Sequence, residues 1–406
     1  MENSGFKILK ASCLQTPVFK TFLSDKTNTN INLAFGFKVK SLDVERLKEA
    51  VNKIVERHDH LRSNFFIKDG ALYEKIYKTR KIEVLPFTNK ELSDFLKPFD
   101  LESEPLIRVS YKDNIVLVDF SHIIMDGFSF KNFFYELNEF YSGRRVLYTP
   151  PLAEHSNFTD EEFLEHTSYW EEHVKFYNLE NECFTVTELP MDFTPLKKYG
   201  GEGAIDFGYI ESKITEKIRK RCRKLNVTPF VFYMAAWFAF LFKACKKECV
   251  ITGTNFSCRK RKNFRSIGLY TTTVPLRMDM SEDDFEDEKL TDGFLLKVAS
   301  VIKQGLMHQS LDLEALLKKH SFSDARELFN TLFVFEDERM TDIRLCGEKC
   351  EYVPIASQNS AMDLTFCFFP FKTEGRILAI YRKDKFSSGR IKSFLEEYSL
   401  VCAKGV

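Results

Sequence analysis

Apolar residues in this chain follow two periods, and the changes of period mark out its elements. In residues 31–39, Ile31, Leu33, Phe35, Phe37 and Val39 share one parity, with small or polar residues between them. That alternation predicts a strand with one buried face. From Leu42 the period lengthens: Leu47, Ala50, Val51 and Ile54 fall at helical spacing, which predicts an amphipathic helix over 42–55. Short strands are expected at 71–76 and 82–85, and the run Ile115–Phe120 reads as a buried strand. Phe130, Phe133, Phe134, Leu137 and Tyr141 then return to helical spacing, with Ser129 as the expected cap. A further helix is expected around 161–177.

Residues 178–205 contain Pro190, Pro195, Gly200, Gly201 and Gly203, which marks the expected crossover between two lobes. The second half repeats the mixture. It has a strand at 204–210 and a helix at 214–225. An apolar helix opens at Pro229 with Thr228 as its cap and reads as buried on all sides. Strands are expected at 250–256, 331–335, 363–369 and 377–381, and helices at 294–306 and 389–401. The acidic stretch 281–291 reads as a solvated loop.

Composition narrows the class of protein. Acidic and basic residues balance at 59 each, so no global charge favours nucleic acid or an anionic membrane. The apolar run 229–242 is shorter than the ~20 residues of a membrane span. The ten cysteines show no framework spacing, and the first residues show no apolar secretory core, which together suggest a reducing, cytoplasmic setting. No Gly-x-Ser-x-Gly elbow is present, so a covalent acyl-enzyme is not expected.

The chemistry concentrates at Ser121-His122-Ile123-Ile124-Met125-Asp126-Gly127. His122 falls where a buried strand ends, with Asp126 and Gly127 completing an H-x-x-x-D-G pattern. A rigidly held imidazole there can take a proton from an amine or hydroxyl near neutral pH. Gly127 would permit a backbone conformation or close approach that other residues resist. Ser121 could orient His122, donate to an oxyanion or make an ordinary turn hydrogen bond. His58 and His60 fall at a helix end, where a cation suits the dipole. Arg259, Lys260, Arg261 and Lys262 form the densest positive cluster. They could meet the phosphates of a ligand or an acidic protein face, or could simply form a solvated loop.

Several segments, in order, resemble the condensation domains of nonribosomal peptide synthetases, within the chloramphenicol-acetyltransferase-like acyltransferases. They are Leu14-Gln15; Arg57 to Phe65, as R-H-x-x-L-R-x-x-F; Phe99-Asp100-Leu101 with Pro105 to Val109; and His122 to Gly127, as the second half of H-H-x-x-x-D-G. Ile251 to Thr254 with Arg259 follow, then Ile267-Gly268-Leu269 with Val274 to Arg277, Asp363-Leu364, and Asp384 to Phe386. Three positions depart from the family pattern. Ser121 replaces the first histidine, Phe128 a tryptophan and Thr272 an asparagine, the first and last bearing on substrate positioning.

The resemblance implies an α/β fold of two chloramphenicol-acetyltransferase-like lobes, mixed sheets flanked by helices, in a V-shaped pseudo-dimer. The lobes would be residues 1–178 and 179–406, with His122 facing a tunnel between them. It implies that His122 is the catalytic base and that Asp126 forms a structural salt bridge to Arg277. With no adenylation or carrier segment in this length, a free-standing, monomeric enzyme is expected, with no bound cofactor. It would transfer an acyl or aminoacyl group from the phosphopantetheine thioester of a carrier protein to a small-molecule amine, forming an amide. An acyl-CoA-dependent O-acyltransferase acting on an alcohol is the alternative. A catalytically silent docking or scaffold module is the third reading.

Overall fold

The computed structural model describes residues 5–148, 150, 160–178, 187–195, 198, 200–319, 321–336, 343–353, 355, 359–371 and 374–406. Residues 179–186, 196, 197 and 199 of the expected crossover, with His155 and His320, lie outside these. The chain divides into two compact units. The first comprises Met1–Thr159, Ser257–Thr271 and Arg339–Ser357; the second comprises Asp160–Phe256, Thr272–Glu338 and Gln358–Val406. Two segments of the second half therefore return to the first unit, which a single cut after residue 178 does not provide for.

The first unit is built on a five-stranded mixed sheet. Its strand order is Glu351–Val353, Asn32–Lys38, Ile115–Ser121, Ile107–Lys112, Val84–Pro86. A smaller sheet orders Phe6–Lys10, Ala71–Tyr77 and Ser63–Lys68. The helices Val44–Arg57 and Gly127–Tyr141 pack together over one face of the larger sheet. Asp43 caps the first through Arg46 N (3.1 Å), and its buried Leu47, Ala50, Val51, Ile54 and Val55 follow the helical period. Phe120 of the central strand meets Phe130 and Phe133 edge-on, with ring centroids 5.3 and 4.9 Å apart.

The second unit carries a seven-stranded mixed sheet in the order Thr271–Asp279, Cys249–Ser257, Thr331–Phe335, Leu364–Pro370, Gly375–Arg382, Gly201–Ile210, Asn359–Ser360. Its centre is the helix Pro229–Cys245, buried without interruption from Val231 to Leu241, as a run without amphipathic period requires. The one indole in that run satisfies its N–H on Thr252 Oγ1 (3.0 Å). The helices Asp292–Met307 and Ser388–Lys404 flank it. Thr228 occupies the cap position but makes no side-chain cap bond.

The acidic stretch is more ordered than a solvated loop. Ser281 and Asp284 form a reciprocal cap, and Phe285–Glu286 pairs with Lys289–Leu290. Among the described residues no single helix is long and apolar enough to cross a membrane.

Candidate active site

The strand Ile115–Ser121 runs antiparallel to Asn32–Lys38, with Ser121 opposite Asn32. His122 N donates to Ile31 O (2.7 Å), and the ladder stops there. Residues His122–Ile124 form one tight turn whose apolar members, with Met125, are fully buried and anchor it in the core. Asp126 follows as the N-cap of Gly127–Tyr141, its Oδ1 accepting from Ser129 N (2.7 Å). The H-x-x-x-D spacing is thus a strand end, a three-residue turn and a helix cap. The cap is Asp126 and not Ser129, because the chain leaves the turn three residues earlier than helical periodicity alone indicates.

The half-buried His122 ring has Nδ1 2.8 Å from the carbonyl oxygen of Met125. A carbonyl only accepts, so Nδ1 carries the hydrogen. The neutral imidazole then keeps its lone pair on Nε2. That is the tautomer a general base needs.

Asp126 is fully buried and satisfied on both oxygens. Oδ1 also pairs with Arg259 Nη2 (2.8 Å), while Oδ2 accepts from Tyr270 N (2.9 Å) and Thr271 Oγ1 (3.4 Å). This corrects the expected partner. Arg277 lies on the strand Thr271–Asp279 and pairs with Asp279 (2.7 Å). It also removes Arg259 from the phosphate-binding cluster. Arg259 is buried, donates to Asn263 O, Ser266 O and Ser129 Oγ, and lies over the rings of Phe128 and Tyr270. Its neighbours Lys260, Arg261 and Lys262 are exposed.

The structure also places three other expected residues. Ser121 is fully buried and its hydroxyl has no hydrogen-bond partner, so the turn bond is not in place. Gly127 has no left-handed backbone; it opens the helix. Thr272 is buried on its strand in the second unit.

His58 and His60 are not helix-end cations in solvent. His58 Nε2 meets Glu136 Oε1 at 2.9 Å, and His60 Nδ1 meets Glu74 Oε1 at 2.7 Å, all four groups being buried or nearly so. Burial works against charge on His60, but Glu74, with Asp59, outweighs it and raises the imidazole above its ordinary value, Arg259 opposing. Glu74 is correspondingly lowered against its own burial by His60, Ser63 and Gln15.

Sequence reading missed Gln15 and Glu74 as members of this site. Gln15 Nε2 donates to Ile123 O in the His122 turn (3.3 Å). A signal for Glu74 was present: it shares the inward parity of Leu72 and Ile76, and a carboxylate at a buried position must find a partner.

The model of the condensation domain family matches residues 7–402. Surfactin synthase subunit 1 of Bacillus subtilis (strain 168) is 25% identical over 342 residues, covering 80% of this chain and 9% of that protein. Tyrocidine synthase 3 of Brevibacillus parabrevis is 26% identical over 364 residues, covering 84% and 5%. The chain therefore spans less than a tenth of the length of either. Among solved structures, the condensation domain from monacolin K polyketide synthase superposes with a TM-score of 0.78 at 16% identity, over 98% of this chain and 97% of that one. The starter condensation domain of rhizomide synthetase, solved in complex with C8-CoA, gives 0.78 at 16% over 98% and 96%. The X-domain from teicoplanin biosynthesis gives 0.78 at 15% over 97% and 94%. These likenesses establish the fold, and with the match of the family model over nearly the whole sequence, the chain belongs to the condensation-domain family.

Proposed function

We propose that the chain joins an acyl or aminoacyl group, held as a phosphopantetheine thioester, to an amine, with His122 as the general base. The observation that carries this reading is the Nδ1–H···O=C bond from His122 to Met125, which leaves Nε2 as the proton acceptor. In the reaction the amine nitrogen attacks the thioester carbonyl and a C–N bond forms. Nε2 takes the amine proton, the C–S bond breaks, and the proton passes to the departing sulfur. The donor is presented by a carrier protein, and exposed Lys260, Arg261 and Lys262 are assigned to its phosphate or its acidic surface. Family membership and the nonribosomal peptide synthetases among the relatives support the carrier-borne donor over a free alcohol route.

The test is a product assay by mass spectrometry, pairing acyl-carrier thioester or acyl-CoA with amine or alcohol acceptors. Amide from the carrier-borne donor is expected. Replacing the base should cost roughly 10²–10⁴-fold, the usual contribution of such a group. His122→Ala is therefore expected to lose that factor while melting like the wild type. Ester formed from acyl-CoA alone, or an unchanged rate in His122→Ala, overturns the reading.

A further inference from the structure

Beneath the His122 turn lies a buried polar chain that the reaction scheme above does not use. Gln15 opens the helix Gln15–Ser24 and is 4% exposed. Its Oε1 accepts from Ser12 N (2.9 Å) and Ser12 Oγ (3.2 Å), which fixes the face of the amide. Its Nε2 donates to Ile123 O (3.3 Å), and its amide helps hold the neighbouring Glu74 carboxyl below its ordinary value. Glu74 is 3% exposed and is held from the other side by His60 Nδ1. The His60 ring in turn packs on Gly268, where a Cβ would come within 3.0 Å of it. Gly268 N and O both bond Ser129 Oγ (3.0 and 2.8 Å), in the first turn of the helix that Asp126 caps. The chain thus runs from the middle of the His122 turn to the segment that holds the far end of that turn.

We propose that Gln15 is a positioning residue that fixes the tautomer and direction of His122. The inference rests on the reading of His122 as proton acceptor. The bond from Nδ1 closes a ring from His122 to Met125 O, and the peptide planes between them set where that oxygen lies. The carbonyl of Ile123 belongs to one of those planes, and Gln15 tethers it. Free the plane, and the Met125 oxygen leaves its alignment with Nδ1. The two neutral tautomers of imidazole differ little in energy, so the proton then redistributes to Nε2 and blocks the acceptor. The buried Glu74 carboxyl lies beside the Gln15 amide. His60 supplies the counter-charge that lets a carboxylate remain buried there.

The tautomer is read directly from the ring nitrogens of ¹⁵N-histidine-labelled protein, with the His122 signals identified by their loss in His122→Ala. Wild type is expected to show Nδ1–H dominant. Gln15→Met, similar in volume but without donors, should show a mixture of tautomers and a kcat roughly tenfold lower at unchanged KM, part of the factor that general-base catalysis contributes. If Gln15→Met does not fold, Gln15→Asn, which retracts the amide by one methylene, serves in its place. An unchanged tautomer in the Gln15 variant overturns the proposal. Should the wild type turn over none of the donor–acceptor pairs, the transfer reading fails while the tautomer comparison still decides the positioning role.

Discussion

Asp126 takes four donors in a site without solvent, so the loss of either member of its ion pair strands a buried charge. Removing one partner of such a pair costs about 3–5 kcal/mol. Asp126→Ala and Arg259→Met are therefore each expected to lose that much in chemical denaturation. Arg277→Ala should lose less than Arg259→Met, because its partner Asp279 is 64% exposed and such pairs are screened. Equal losses for Arg259 and Arg277 would mean that the pairing described here is wrong. The comparison also marks where sequence reading stopped. Asp126 was legible from its motif; its partner was not. Both arginines lie more than 130 residues downstream, and spacing does not choose between them. What chooses is that Ser257–Thr271 returns to the first unit, bringing Arg259 to the cap.

At the scale of elements, the two periods located most strands and helices to within a few residues, including Thr331–Phe335 at its observed bounds. Two of the strands without a forecast carry satisfied polar groups that interrupt the apolar pattern. Ser63–Lys68 carries the buried Asn64, which donates to Leu101 O and Glu104 O; Ile107–Lys112 carries Arg108, which pairs with Asp119. The second gap was partnership between distant strands. Gly36 reads as an outward position of an alternating strand, yet it is buried beneath Glu351–Val353, which pairs with it from more than 300 residues away. A Cβ at Gly36 would lie 2.7 Å from the backbone oxygen of Val353, which has no flexible side chain to give way. Overpacking of this kind costs typically about 1–3 kcal/mol. Gly36→Ala is expected to lose that amount and to raise amide exchange selectively in residues 351–353. Unaltered exchange there, with wild-type stability, would contradict the close approach.

Across the molecule, among the described residues, buried titratable groups shifted upward outnumber those shifted downward and set how stability depends on pH. Asp119 is raised from its ordinary value to about 7 by burial, with Arg108 and Asn32 only partly offsetting it. His60 is raised by Glu74. The thiols of Cys222 and Cys350 are each pushed up to about 11 by burial, and Cys402 and Tyr398 are raised in the same direction. In every case the folded chain holds a proton that the unfolded chain has released, so stability falls as pH rises across the interval between the two values. The intervals follow one another. Asp119 acts from about pH 4 to 7, taking its unfolded value near 3.9, and His60 acts from about 6.5 upward. The thiols act from about 8.5, where free cysteine ionises, to about 11. Glu74 and Glu136, both lowered, work the other way, but only as pH falls through the acid range. The melting temperature under reducing conditions should therefore be highest on the mildly acidic side and decline continuously from about pH 5.5 to 10.5. Asp119→Asn should flatten the segment below pH 7 and leave the alkaline descent in place, since the thiols and the phenol remain. A melting temperature that stays level from pH 8 to 10.5 would show that these sulfurs ionise as freely in the folded chain as in the unfolded one, and that burial does not hold their protons.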